Sequence, residues 1–222
     1  MEAGAIDLDA VRRRADDVRR IVSAAGRPVT VVAVTKGFGP GAVRAALAAG
    51  FHDVGENYAA DLAAKARALS GEDVRWHFLG AVQRRKVRDL APLVHLWQSV
   101  DREAAGVEIA RRAPGASVLV EVDVTGAPGR VGCSFEEAPA LVERLAGLGL
   151  DVRGLMAVAG IEDPRAQFRR LARLGTGLGL PELSMGMSGD LQVAVEEGAT
   201  MVRVGRLLFG PRPVPDPEGR RG

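Results

Sequence analysis

The chain is poor in lysine, cysteine and aromatic residues. Of its 30 basic residues, three are lysines (Lys36, Lys65 and Lys86) and the rest are arginines. Aromatics make up 4%, with one tyrosine (Tyr58), and they do not interleave with a basic stripe, so nucleic-acid binding has no support. The single cysteine, Cys133, excludes an intramolecular disulfide and any cysteine-built metal site. The histidines (His52, His77 and His95) share no ligand spacing, and the acids are too dispersed to argue a zinc or two-metal centre. No run approaches the roughly 18 apolar residues of a membrane helix, and the N-terminus lacks a signal-like apolar core. The expectation is a cytoplasmic, soluble protein with neither membrane nor nucleic-acid partners.

Hairpin signals of the Asn-Gly kind are also missing, which turns attention to what is present. Residues 7–25 have helical periodicity, with Leu8, Val11, Val18, Ile21 and Val22 on one side. Strand-like runs follow at 29–35, 51–54, 74–79, 94–99, 117–124, 150–157, 182–185 and 201–204. Helical stretches at 41–49, 57–69, 83–91, 102–112, 135–147, 163–174 and 189–197 separate them. Strands alternating with helices imply right-handed βαβ units and a parallel sheet. Eight such units predict a single (β/α)8 TIM barrel over residues 1–210, with an extra N-terminal helix. The rival doubly wound sheet calls for a G-x-G-x-x-G turn after the first strand, and Gly37-Phe-Gly39 lacks the third glycine. Residues 211–222, rich in proline and arginine, read as a flexible tail.

In such a barrel the active face is the carboxyl end of the strands. Lys36 closes the first strand, Val29-Thr-Val-Val-Ala-Val-Thr-Lys36, in a chain that otherwise uses arginine for positive charge. An arginine stays protonated, whereas a lysine can release its proton and attack a carbonyl to form a Schiff base. After strands seven and eight, Ser184-Met-Gly-Met-Ser-Gly-Asp190 and Val204-Gly-Arg-Leu-Leu-Phe-Gly210 each lead into a helix. Ser188 reads as an N-cap there, and Gly205 as a point of close backbone approach. Free N–H groups at these two places form the usual phosphate site of the barrel. An amine facing a phosphate cradle suggests a phosphorylated aldehyde, either pyridoxal 5′-phosphate (PLP) or the sugar phosphate of an aldolase. If the ligand is PLP, Arg203 is placed to face the pyridine nitrogen; a guanidinium cannot accept the ring proton, so the ring stays a poor electron sink.

Several segments carry a resemblance. They are Val34-Thr-Lys36, Gly55-Glu-Asn-Tyr58, Trp76-His-Phe-Leu-Gly80 with Gln83 and Lys86, Ser99-Val-Asp101, Gly154-Leu-Met156, Leu183-Ser-Met-Gly-Met-Ser188, and Arg203-Val-Gly205 with Phe209-Gly210. In order, from about residue 29 to 210, these resemble the YggS/PROSC-type PLP homeostasis proteins. The resemblance implies a fold-type III barrel like the N-terminal domain of alanine racemase, with PLP held on Lys36 as a Schiff base. It implies further that Ser188, Gly205 and the backbone N–H of Arg206 hold the phosphate, that Arg203 faces the pyridine nitrogen, and that Asn57 and Met156 border the cofactor. Arg85 stands where that family commonly has asparagine, and Arg130 where it commonly has lysine.

Racemase chemistry needs a second base opposite the lysine, and in racemases a tyrosine from a second domain supplies it. Tyr58, on the same barrel, reads as rim packing. The expectation is a monomeric PLP reservoir or delivery protein without robust turnover, with apo-enzymes as its partners. The alternatives are a weak racemase or transaminase and, less favoured, an aldolase. Lys65 and Lys86 read as solvated helix charges.

Overall fold

The computed structural model describes residues 6–212. Helix α1 (Leu8–Ser23) comes first, its N-terminus capped by the Asp7 carboxylate, which accepts from the Ala10 N–H at 3.0 Å. Val11, Ala15 and Val18 bury one face of α1 against the barrel's outer helices, whereas Leu8 stays half exposed.

Eight parallel strands then close into a barrel in sequence order: β1 (Thr30–Val34), β2 (Asp53–Glu56), β3 (Arg75–Phe78), β4 (Val94–Val100), β5 (Ser117–Glu121), β6 (Asp151–Met156), β7 (Glu182–Ser184) and β8 (Met201–Val204). The intervening helices are α2 (Pro40–Ala48), α3 (Ala59–Ala68), α4 (Arg84–Leu90), α5 (Glu103–Arg112), α6 (Ala138–Gly147), α7 (Pro164–Gly177) and α8 (Leu191–Glu196). A short α9 (Arg206–Phe209) follows β8. The predicted barrel and N-terminal helix are therefore present. The predicted tail falls largely on residues 213–222, outside the described residues; Pro211 and Arg212 are described and lie at the barrel mouth.

Side chains alternate across each strand, so every second residue points into the barrel. The outward set, with the helices, forms the large apolar core. The inward set is mixed: Val32, Leu96, Leu119, Met156 and Met201 pack together, and beside them lie the buried polar side chains of His77, Gln98, Ser184 and Arg203. The same alternation carries Val32 and Val34 on to Lys36, which places the lysine at the mouth.

Candidate functional site

At the carboxyl end of the strands lies a cavity of about 620 Å³. Lys36, Asn57, Met156, Ser188, Arg203, Gly205 and Arg206, the residues singled out in the sequence, all line it. Burial, together with the positive charges of Arg212 and Arg203, pushes the Lys36 amine below its ordinary pKa, and Glu56 opposes the shift. Depressing an amine this way raises the fraction that is neutral and nucleophilic.

The loops after β7 and β8 face each other across one side of the cavity. Ser188 does not cap α8 as expected; Asp190 occupies that N-cap position, and Ser188 Oγ instead accepts from the Leu207 N–H at 3.1 Å. That bond ties the β7 loop to the first turn of α9. Helices α8 and α9 span six and four residues, too short for a large macrodipole, so anion affinity here rests on individual N–H donors. Among the described residues, the backbone N–H groups of Gly189, Gly205 and Arg206 donate to no protein acceptor. A Cβ on Gly205 would lie 3.2 Å from the Val34 carbonyl oxygen, so glycine keeps this corner open.

Arg203 is 5% exposed and makes no ion pair among the described residues. Its Nη1 donates to the Ser184 carbonyl and Oγ, and Nη2 to the Ala157 carbonyl, each at 2.8 Å. Burial pushes its guanidinium down to about 10, so it remains a cation at neutral pH. Amine, free N–H donors and buried cation thus converge on one cavity that would accept a phosphate at one edge and an aromatic ring over Met156 and Arg203. The residues present fit PLP.

Two features escaped the sequence reading. Lys65 is not a solvated charge: it is 4% exposed, pairs with the buried Glu56 carboxylate and donates to the Thr35 carbonyl at 2.8 Å, beneath Lys36. Thr35 Oγ1 donates to the same carboxylate at 2.6 Å. Helical spacing carried the signal, because Lys65 lies three residues after the fully buried Leu62. Lys86 is exposed, as expected. At the end of β5 the Asp123 carboxylate is occupied in a turn with Thr125 and Gly126. Glu121, in register with Met156, faces the cavity instead. Burial, with a smaller effect from Asp101, raises its carboxyl to about 7 against the pull of Arg203. Tyr58 is 62% exposed and outside the cavity lining.

The family model for the alanine racemase N-terminal domain matches residues 6–213. A pyridoxal phosphate homeostasis protein of Pseudomonas aeruginosa is 41% identical over 209 residues, covering 88% of this chain and 91% of its own. One from Aquifex aeolicus is 39% identical over 188 residues, covering 78% and 82%. PipY of Synechococcus elongatus, solved with PLP bound, superposes with a TM-score of 0.81 at 31% identity, covering 90% of this chain and all of PipY. Alanine racemase of Clostridium difficile shares the fold, with a TM-score of 0.74 at 16% identity, and this chain matches 59% of it. The chain belongs to the alanine racemase N-terminal-domain family, within its branch of single-barrel pyridoxal phosphate homeostasis proteins.

Proposed function

We propose that this protein binds PLP at the mouth of its barrel and serves PLP homeostasis, holding the cofactor for storage or for delivery to apo-enzymes. The observation that carries this reading is the convergence on one cavity of a depressed lysine amine, free N–H donors after β7 and β8, and a buried guanidinium. When bound, PLP supplies an aldehyde that condenses with an amine. Lys36 is the attachment point. The N–H groups of Gly205 and Arg206, with the Ser188 hydroxyl, hold the phosphate, and Arg203 donates toward the pyridine nitrogen. Asn57 and Met156 flank the ring. A guanidinium rather than a carboxylate toward the ring nitrogen does not keep the ring protonated, so holding is favoured over turnover. In this reading the protein acts as a cytoplasmic monomer. Among the described residues, no helix is long and apolar enough to cross a membrane.

Purified protein incubated with PLP is expected to turn yellow, and borohydride is expected to fix the label on the Lys36 peptide by mass spectrometry. Failure to bind PLP, or a label elsewhere, sinks the proposal.

One observation supports a second reading, a weak racemase. Glu121 ends β5 and Lys36 follows β1, on opposite sides of the eight-stranded barrel, so two proton-holding groups face one cavity. D/L interconversion of an amino acid that is lost in both Lys36→Ala and Glu121→Gln would favour it.

A further inference from the structure

Below the cavity, five side chains from five strands form a hydrogen-bonded line through the barrel interior. Arg203 Nη1 on β8 donates to Ser184 Oγ on β7 at 2.8 Å, and Ser184 Oγ donates to Gln98 Oε1 on β4 at 2.7 Å. Gln98 Nε2 then lies 2.7 Å from His77 Nδ1 on β3, and His77 Nε2 lies 2.9 Å from Asp53 Oδ1 on β2. His77, Gln98, Ser184 and Arg203 are each at most 5% exposed.

The direction of the line follows from its ends and from one side contact. The guanidinium can only donate and the carboxylate can only accept. Gln98 Nε2 also lies 3.0 Å from Met201 Sδ, an acceptor without a proton, which places the amide N–H on that side. His77 Nδ1 must therefore accept, so the ring carries its proton on Nε2, directed at Asp53. Every link points the same way, from cation to anion. Hydrogen bonds aligned in this manner polarise one another, which matters for a buried cation with no carboxylate in contact. At the far end, burial works against the Asp53 charge. Hydrogen bonds from His77 and Arg75 overcome it and hold the carboxyl well below the usual range.

We propose that Ser184, Gln98 and His77 are positioning residues that orient Arg203 beneath the cofactor and couple its charge to the Asp53 carboxylate at the opposite end of the barrel. This rests on the reading that Arg203 faces the pyridine ring. The line leaves the guanidinium no freedom to turn from the cavity, since Nη1 is held by Ser184 and Nη2 by Ala157. It also makes the N-terminal end of the barrel, where Arg75 grips Asp53, part of the cofactor site.

The chain has three histidines, so nitrogen-15 NMR of histidine-labelled, cofactor-free protein resolves each ring. In the unmodified protein, His77 is expected to carry a proton on Nε2 and to leave Nδ1 bare. Gln98→Glu puts an acceptor opposite Nδ1 and is expected to place a proton on that nitrogen. Ser184→Ala is expected to shift the Arg203 guanidinium resonances, speed their exchange, move the absorption maximum of bound PLP and weaken PLP binding about fivefold. A proton on His77 Nδ1 in the unmodified protein overturns the proposal. So do Arg203 resonances and PLP affinity that stay put in Ser184→Ala. The tautomer is read without cofactor, so it survives if PLP binding fails, while PLP binding to the unmodified chain survives if the line is wrong.

Discussion

Lys65 and Glu56 form an ion pair with water excluded, and removing one half strands the other beneath Lys36. Glu56 Oε2 already has no partner, so the pair has no spare donor to absorb the loss. An uncompensated buried charge costs about 3–5 kcal/mol. Lys65→Met is therefore expected to lower unfolding free energy by about that much in urea titrations, and Lys65→Met with Glu56→Gln to recover most of it. Equal losses in the single and double variants would show that packing, not charge, is at stake. Glu121 makes a separate prediction. Its folded value of about 7 lies above the 4.5 ordinary for a glutamate, so the folded state binds the extra proton between those values. Its contribution to stability is full below about pH 4.5 and lost as pH rises through 7. The loss is on the order of 3 kcal/mol at most. Glu121→Gln is expected to leave the melting temperature unchanged near pH 4.5 and raise it at pH 8. A pH-independent difference between the two proteins would refute this.

At the scale of elements, the phosphate cradle depends on two loops rather than on either short helix. Gly205→Ala would bring a Cβ to 3.2 Å from the Val34 carbonyl and into the corner that the phosphate needs. The backbone φ at Gly205 is negative, −120°, and the contact asks the Val34 carbonyl to give by only a few tenths of an ångström, so the fold should tolerate the change. The expected outcome is PLP affinity down at least about tenfold, roughly the worth of one or two hydrogen bonds to a charged group, with a near-normal thermal melt. Retained affinity would place the phosphate elsewhere. The strands, and with them Lys36 and Arg203, were legible because a two-residue alternation fixes which side chains enter a barrel. The Ser188 bond was not: its partner, the Leu207 N–H, is 19 residues away and belongs to another loop. Local helix-cap chemistry suggested a nearer N–H, and tertiary closure won. Glu121 was readable in principle, since it continues the inward series of Leu119, but nothing in its local sequence marks which half of the alternation faces inward.

Across the whole molecule, closure of the barrel ties β1 to β8 and sets Lys36 beside the loop carrying Gly205 and Arg206. No sequence-local rule joins residues so far apart. Closure does so because each of the eight strands pairs in parallel with its two neighbours around the barrel. A ligand that bridges β1 and the loops after β7 and β8 should then stabilise the barrel as a unit. Saturation at about 100 times the dissociation constant adds about 2.7 kcal/mol. For a domain of this size that corresponds to a rise in melting temperature of about 5–10 °C. Three titrations separate the contributions by thermal shift. Inorganic phosphate alone should give a small rise, because it engages only the loop N–H groups. PLP with Lys36→Ala should give an intermediate one, from phosphate and ring together. PLP with the unmodified chain should give the full shift, since the lysine then fastens β1 to a ligand already held by the loops. If PLP raises the melting temperature no more than phosphate does, the ring and the lysine contribute nothing, and the cavity is merely an anion site.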